Sequence, residues 1–183
     1  MKFYRFGNED KSVIMLLPGT CCHWKTFSAV IPLLKDTFQV VCISYDGFDE
    51  NEPDAIFPTM TGETEKIESY IKAKFGGRIF AAYGCSLGGS FVGLLVARQN
   101  IHIAYGILGS SDLDQASPLA AKLQADFLLP LIVPVVRDGK LKVNFLQKRL
   151  DKHARELGDC VKAFLKMFGE ARPYMTGRKL STV

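Results

Sequence analysis

The chain has 183 residues, 48% of them hydrophobic and 23% charged. That composition excludes intrinsic disorder and fits one globular domain with a sizeable core. A net charge of +4 is too small to suggest a nucleic-acid partner, although it is unevenly spread. Residues 1–136 carry 11 basic and 14 acidic side chains, and residues 137–183 carry 12 and 5.

The predicted elements alternate along the chain. Residues 12–17, 39–45, 78–83 and 101–108 are apolar runs, each closed by a glycine-containing turn. Runs that are apolar on both faces are what parallel strands buried between helix layers look like. Residues 3–6 read as a weaker edge strand. Helices are predicted over 24–34, 61–75 and 86–98. The second has Ile67, Tyr70, Ile71 and Phe75 on one face and Glu63 and Glu65 in its first turn, where acidic groups suit the helix dipole. This alternation predicts an α/β fold with a doubly wound, mostly parallel sheet and helices on both faces.

The pattern changes after residue 114. Residues 118–136 are apolar but carry Pro130 and Pro134, so a helix there is broken or kinked. Residues 144–168 read as an amphipathic helix with a basic polar face, which is taken as solvated, and Gly169 as its C-terminal cap. The expected organisation is a core over 1–114, a helical cap-like segment over 115–171 and a loose tail over 172–183.

Five cysteines, Cys21, Cys22, Cys42, Cys85 and Cys160, form an odd set without metal-type spacing. They read as reduced thiols in a cytoplasmic protein, with no metal centre and no cofactor motif. The N-terminus lacks the apolar run of a signal peptide. Residues 79–97 hold no charge, but Gly84, Gly88, Gly89 and Gly93 interrupt them, so they read as a buried strand and helix rather than a membrane span.

One motif carries chemistry. Gly84-Cys85-Ser86-Leu87-Gly88 is G-x-S-x-G, placed after a predicted strand and opening a predicted helix. A serine on such a sharp turn needs small neighbours two residues to either side. The plainer alternative is that the glycines only permit close helix–strand packing, but the strand-turn-helix context favours a nucleophile elbow. A nucleotide-binding Rossmann domain fits poorly, because G-x-G-x-x-G is absent and the glycines follow the third strong strand rather than the first.

With that motif the sequence resembles the α/β-hydrolase fold family. Leu16-Leu17-Pro18-Gly19-Thr20 stands where the family has its His-Gly oxyanion loop, with Pro18 in place of His. Trp24 matches an aromatic in the following helix, and Asp46-Gly47-Phe48-Asp49 matches a glycine-containing turn after the next strand. The resemblance implies that Ser86 attacks an acyl carbon while the N–H groups of Thr20 and Leu87 hold the oxyanion. It also implies that 115–171 is a cap lining the substrate pocket, near which His23 and Cys21 fall; the apolar residues of that segment point to an acyl or otherwise hydrophobic ligand, or equally to a helix-packing core. The family's later strands, which bring the triad acid and His, have no counterpart in residues 115–183.

Only three histidines exist: His23 reads as a structural or pocket-lining residue near the site, His102 as a packed or edge residue within its strand, and His153 borders the apolar stripe of the long helix. The order Ser86, Asp112, His153 matches the family's order of roles, with Asp112 as acid and His153 as base; Asp112 serves equally well as a loop residue paired with Ser110 or Ser111. Two functions stand side by side. One is a serine hydrolase acting on an ester or other acyl substrate. The other is a truncated, catalytically impaired scaffold that binds a small hydrophobic ligand or self-associates. Loss of the family's later strands would leave the strand over 101–108 as an uncovered edge, so a homodimer or higher assembly is expected.

Overall fold

A computed structural model describes residues 1–20, 22–52 and 54–111. The cap-like segment, the tail, and the candidates Cys21, Asp112 and His153 lie outside the described residues. Five strands, β1 (Lys2–Phe6), β2 (Val13–Leu17), β3 (Gln39–Ser44), β4 (Arg78–Cys85) and β5 (His102–Gly109), form one sheet in the order β1-β3-β2-β4-β5. β1 pairs antiparallel with β3, and the other pairings are parallel. The strands come from the predicted apolar runs, and the weak run at the N-terminus is the antiparallel edge.

The two faces of the sheet follow from strand alternation. Ile14, Leu16, Val40, Cys42 and Ala81 pack with Phe27 and Ile31 on one face. The alternate residues Met15, Leu17, Val41, Ile43 and Ala82 are buried on the other, which is covered by α2 (Met60–Phe75) and α3 (Leu87–Arg98). Thr59 caps α2 by accepting a hydrogen bond from the Gly62 amide at 3.0 Å, and Gly76, with φ 61°, ends it in the left-handed conformation.

The helix expected over 24–34 is instead two short pieces: a 3₁₀ turn, Trp24–Phe27, and α1, Ile31–Leu34. Pro32 is the reason. In a continuous helix its ring would collide with the carbonyl of Ser28 and it would lack the N–H that bonds there, so a new helix starts with proline in its first turn. Glu63 stands in the first turn of α2, as expected, but not on its surface. It is fully buried, accepting the Asp46 amide at 3.1 Å and Lys66 Nζ at 2.8 Å. Those donors satisfy a carboxylate that would otherwise be costly to bury.

The strand order places the functional turns. From β2 the chain moves to β3 on one side, then returns across β2 to β4 on the other. β2 and β4 are therefore neighbours at the point where the winding reverses, with Leu17 opposite Gly84. Clefts for ligands in open α/β sheets form beyond the C-terminal ends of strands at such a point. The segments leaving β2 and β4 there are Pro18-Gly19-Thr20 and the turn at Ser86.

Candidate active site

Ser86 lies between β4 and α3 with φ 51° and ψ −119°. Positive φ is rare for a residue with a side chain, and this ψ also lies outside the left-handed helical region. Holding such a conformation costs on the order of 1–3 kcal/mol. Ser86 is exposed and makes no side-chain hydrogen bond that caps α3, although serine usually does so at a helix start. Its hydroxyl is thus presented outward on the end of a helix whose first-turn amides, Leu87 among them, lie outside the regular helical ladder.

The glycines of the motif are required by close approach. A Cβ on Gly84 would collide with the Gly88 carbonyl and the Gly89 amide, and one on Gly88 would collide with the Leu17 carbonyl. α3 thus lies directly against the backbone leaving β2. Gly19 completes the approach: a Cβ there would sit 3.4 Å from the Ser86 Cβ and 4.0 Å from its Oγ. The structure therefore brings the expected oxyanion loop and the serine together.

The loop itself is anchored. The Tyr45 hydroxyl donates to the Pro18 carbonyl at 3.1 Å, and the Cys22 amide donates to the Gly19 carbonyl at 3.2 Å. Tyr45 had not been singled out from the sequence. Its only local signal is a position at the C-terminal end of a buried strand.

The remaining candidates separate by position. His23 is the N-cap of the 3₁₀ turn, its Nδ1 accepting the Lys25 amide at 3.4 Å. His102 opens β5 in register with Arg78, at the far end of the sheet from Gly109 and the Ser86 turn. From His102 to Gly109 the strand rises about 23 Å, so His102 does not reach Ser86. Asp46 and Asp49 are structural in this geometry: Asp46 pairs with Lys66, and Asp49 accepts the Tyr4 hydroxyl at 2.7 Å and the Asn51 amide at 2.9 Å.

The thiols around the turn differ. Burial pushes the Cys22 thiol above its ordinary value, opposed by a hydrogen bond involving Thr26. Burial pushes Cys42 up to about 12. Cys85 is half-buried beside Ser86, and burial followed by its contact with Cys85 raises the Tyr83 phenol.

No family model matches the chain, and no curated protein does. Solved structures do. A protein of Desulfitobacterium hafniense assigned to the α/β-hydrolase family superposes with a TM-score of 0.73 at 16% identity, over 98% of this chain and 68% of that one. A carboxylesterase structure from the thaumarchaeon Nitrososphaera gargenis gives 0.70 at 16% identity, over 99% of this chain and 65% of that one. An enol-lactonase from Burkholderia xenovorans gives 0.66 at 15% identity, over 99% and 67%. The chain spans about two thirds of the length of these proteins. Strand order, the turn at Ser86 and these superpositions agree: the chain has the α/β-hydrolase fold.

Proposed function

We propose that the protein is a serine hydrolase acting on an ester or other small acyl substrate, with Ser86 as nucleophile. The observation that carries this is the exposed Ser86 held at φ 51° and ψ −119° between β4 and α3, beside a loop that approaches its Oγ. The esterase and lactonase activities of proteins with this fold support the reaction class. Ser86 Oγ attacks the acyl carbon, the ester C–O bond breaks, and the alcohol leaves with a proton. Water then hydrolyses the acyl-enzyme. The N–H groups of Leu87 and Thr20 stabilise the oxyanion of each tetrahedral intermediate.

Serine needs an adjacent base to be nucleophilic. With His102 placed at the far end of the sheet, the base is His153 or His23, and Asp112 is the acid that orients it. His23 and Cys21 border the acyl pocket. The reaction uses no cofactor. β5 is paired on one side only among the described residues, and its Tyr105 and Ile107 are exposed. Self-association through this edge follows, and a concentration-independent monomer mass in sedimentation would count against it. A cytoplasmic location belongs to the same reading, supported by an odd number of cysteines without metal-type spacing.

The test is labelling with a fluorophosphonate probe, read by intact mass, with Ser86→Ala as control. Stoichiometric labelling that disappears in the variant supports the assignment. Absence of labelling in folded protein overturns it and leaves the non-catalytic, ligand-binding scaffold.

A further inference from the structure

We propose that Tyr45 is a positioning residue for the oxyanion loop, its hydroxyl holding the Pro18 carbonyl so that the Pro18–Gly19 peptide, and with it the loop that carries the Thr20 amide, keeps its place beside Ser86. This rests on the assignment of Ser86 as nucleophile and adds a residue that acts through the loop without touching substrate. Tyr45 is completely buried. Its ring stacks on Phe91 of α3, with centroids 4.7 Å apart and planes 22° apart, and meets Phe57 edge-on at 6.0 Å. Its hydroxyl reaches the other way, donating to Pro18 O at 3.1 Å. One side chain therefore packs on the helix that opens at Ser86 and grips the loop that faces Ser86.

Peptide geometry turns that grip into orientation. In a planar trans peptide the C=O and the following N–H point in opposite directions. Fixing the Pro18 carbonyl fixes the Gly19 amide. Fixing the Gly19 carbonyl, which accepts the Cys22 amide at 3.2 Å, fixes the Thr20 amide. Both peptide planes of the loop are thus pinned, the first by a side chain and the second by the chain itself. Burial raises the Tyr45 phenol well above its ordinary value, so the hydroxyl remains a donor throughout the range in which the protein would work. Pro18 has no side-chain group with which to fix the loop itself.

A buried tyrosine hydroxyl ordinarily finds some partner, so a purely structural role must be separated from positioning. Tyr45→Phe keeps the ring packing and removes only the donor. Ile71→Val, a buried change on α2 distant in sequence from both turns, loses stability through packing alone. The limiting rate of fluorophosphonate labelling and its half-saturating concentration are measured for each. Donors misaimed at a developing oxyanion lower the rate of the chemical step more than binding. Tyr45→Phe is expected to lower the limiting rate about 10-fold, less than deleting a direct donor, with half-saturation unchanged and Ile71→Val labelling as wild type. A wild-type limiting rate in Tyr45→Phe, or an equal fall in Ile71→Val, overturns the positioning role alone. Failure of the wild-type protein to label overturns the Ser86 assignment, and the positioning role with it.

Discussion

The amide of Ser86 donates to the carbonyl of Gly109 at 2.9 Å. The turn that ends β4 is therefore held by the last residue of β5. Ser111 adds to this hold, its Oγ lying 2.9 Å from the Ser86 carbonyl and 3.1 Å from that of Gly109. Both sides of the strained residue are thus tied, one to the end of the neighbouring strand and one to the segment just after it, which offsets part of the cost of its backbone conformation.

Ser111→Ala removes the side-chain half of that hold. It is expected to cost about 1 kcal/mol, the net worth of an ordinary hydrogen bond. Urea unfolding should show a lower midpoint with an unchanged slope, since no additional surface is exposed.

Gly88→Ala should be far more damaging. The new methyl would collide with backbone, the Leu17 carbonyl, which cannot turn aside as a side chain can. A loss of about 3 kcal/mol is expected, at the upper end for an overpacked site. Gly76→Ala makes a useful comparison, because a Cβ there meets nothing within 4 Å and only the left-handed backbone is strained. Urea unfolding of both variants should rank Gly88→Ala as the less stable.

Glu68 supplies a pH test. Hydrogen bonds from Arg98, and secondarily from Asn100, hold its carboxyl below the ordinary value of 4.5 against the opposing effect of burial. The donors are Arg98 Nε at 2.7 Å, Arg98 Nη2 at 3.3 Å and Asn100 Nδ2 at 3.0 Å, tying α2 to the end of α3. A carboxylate with a lowered folded pKa stabilises fully above its unfolded value and loses that contribution as pH falls through the folded one. Glu68→Gln should therefore cost about 2 kcal/mol at neutral pH. The difference from wild type should shrink below about pH 4.5, as read by urea midpoints across a pH series. A difference that stays constant into acid would contradict the charged pairing.

Thiol alkylation should be selective. Cys42 lies wholly buried within β3, and burial holds it up to about 12. Cys22 is buried and raised in the same direction. Only the thiolate reacts at an appreciable rate. Iodoacetamide treatment of native protein at pH 7.5, followed by peptide mass mapping, should leave both unmodified and alkylate half-buried Cys85 ahead of them. Prompt modification of Cys42 would contradict its place in the core.

Much of this protein could be read from its sequence because the signals are local. The strand runs and the helices over α2 and α3 follow from apolar periodicity and turn residues, and the spacing of Gly84, Ser86 and Gly88 marks the sharp turn. Pro32 was equally local, and its helix-breaking effect explains why the helix expected over 24–34 is split. Tertiary structure decided what depends on distant residues. The reversal of winding that sets Gly19 against Ser86, the register that pairs His102 with Arg78, the burial of Glu63 and the reach of Tyr45 to Pro18 all involve partners far apart in sequence. Such contacts are determined by which strands pair and which faces are covered, and no run of neighbouring residues encodes that alone.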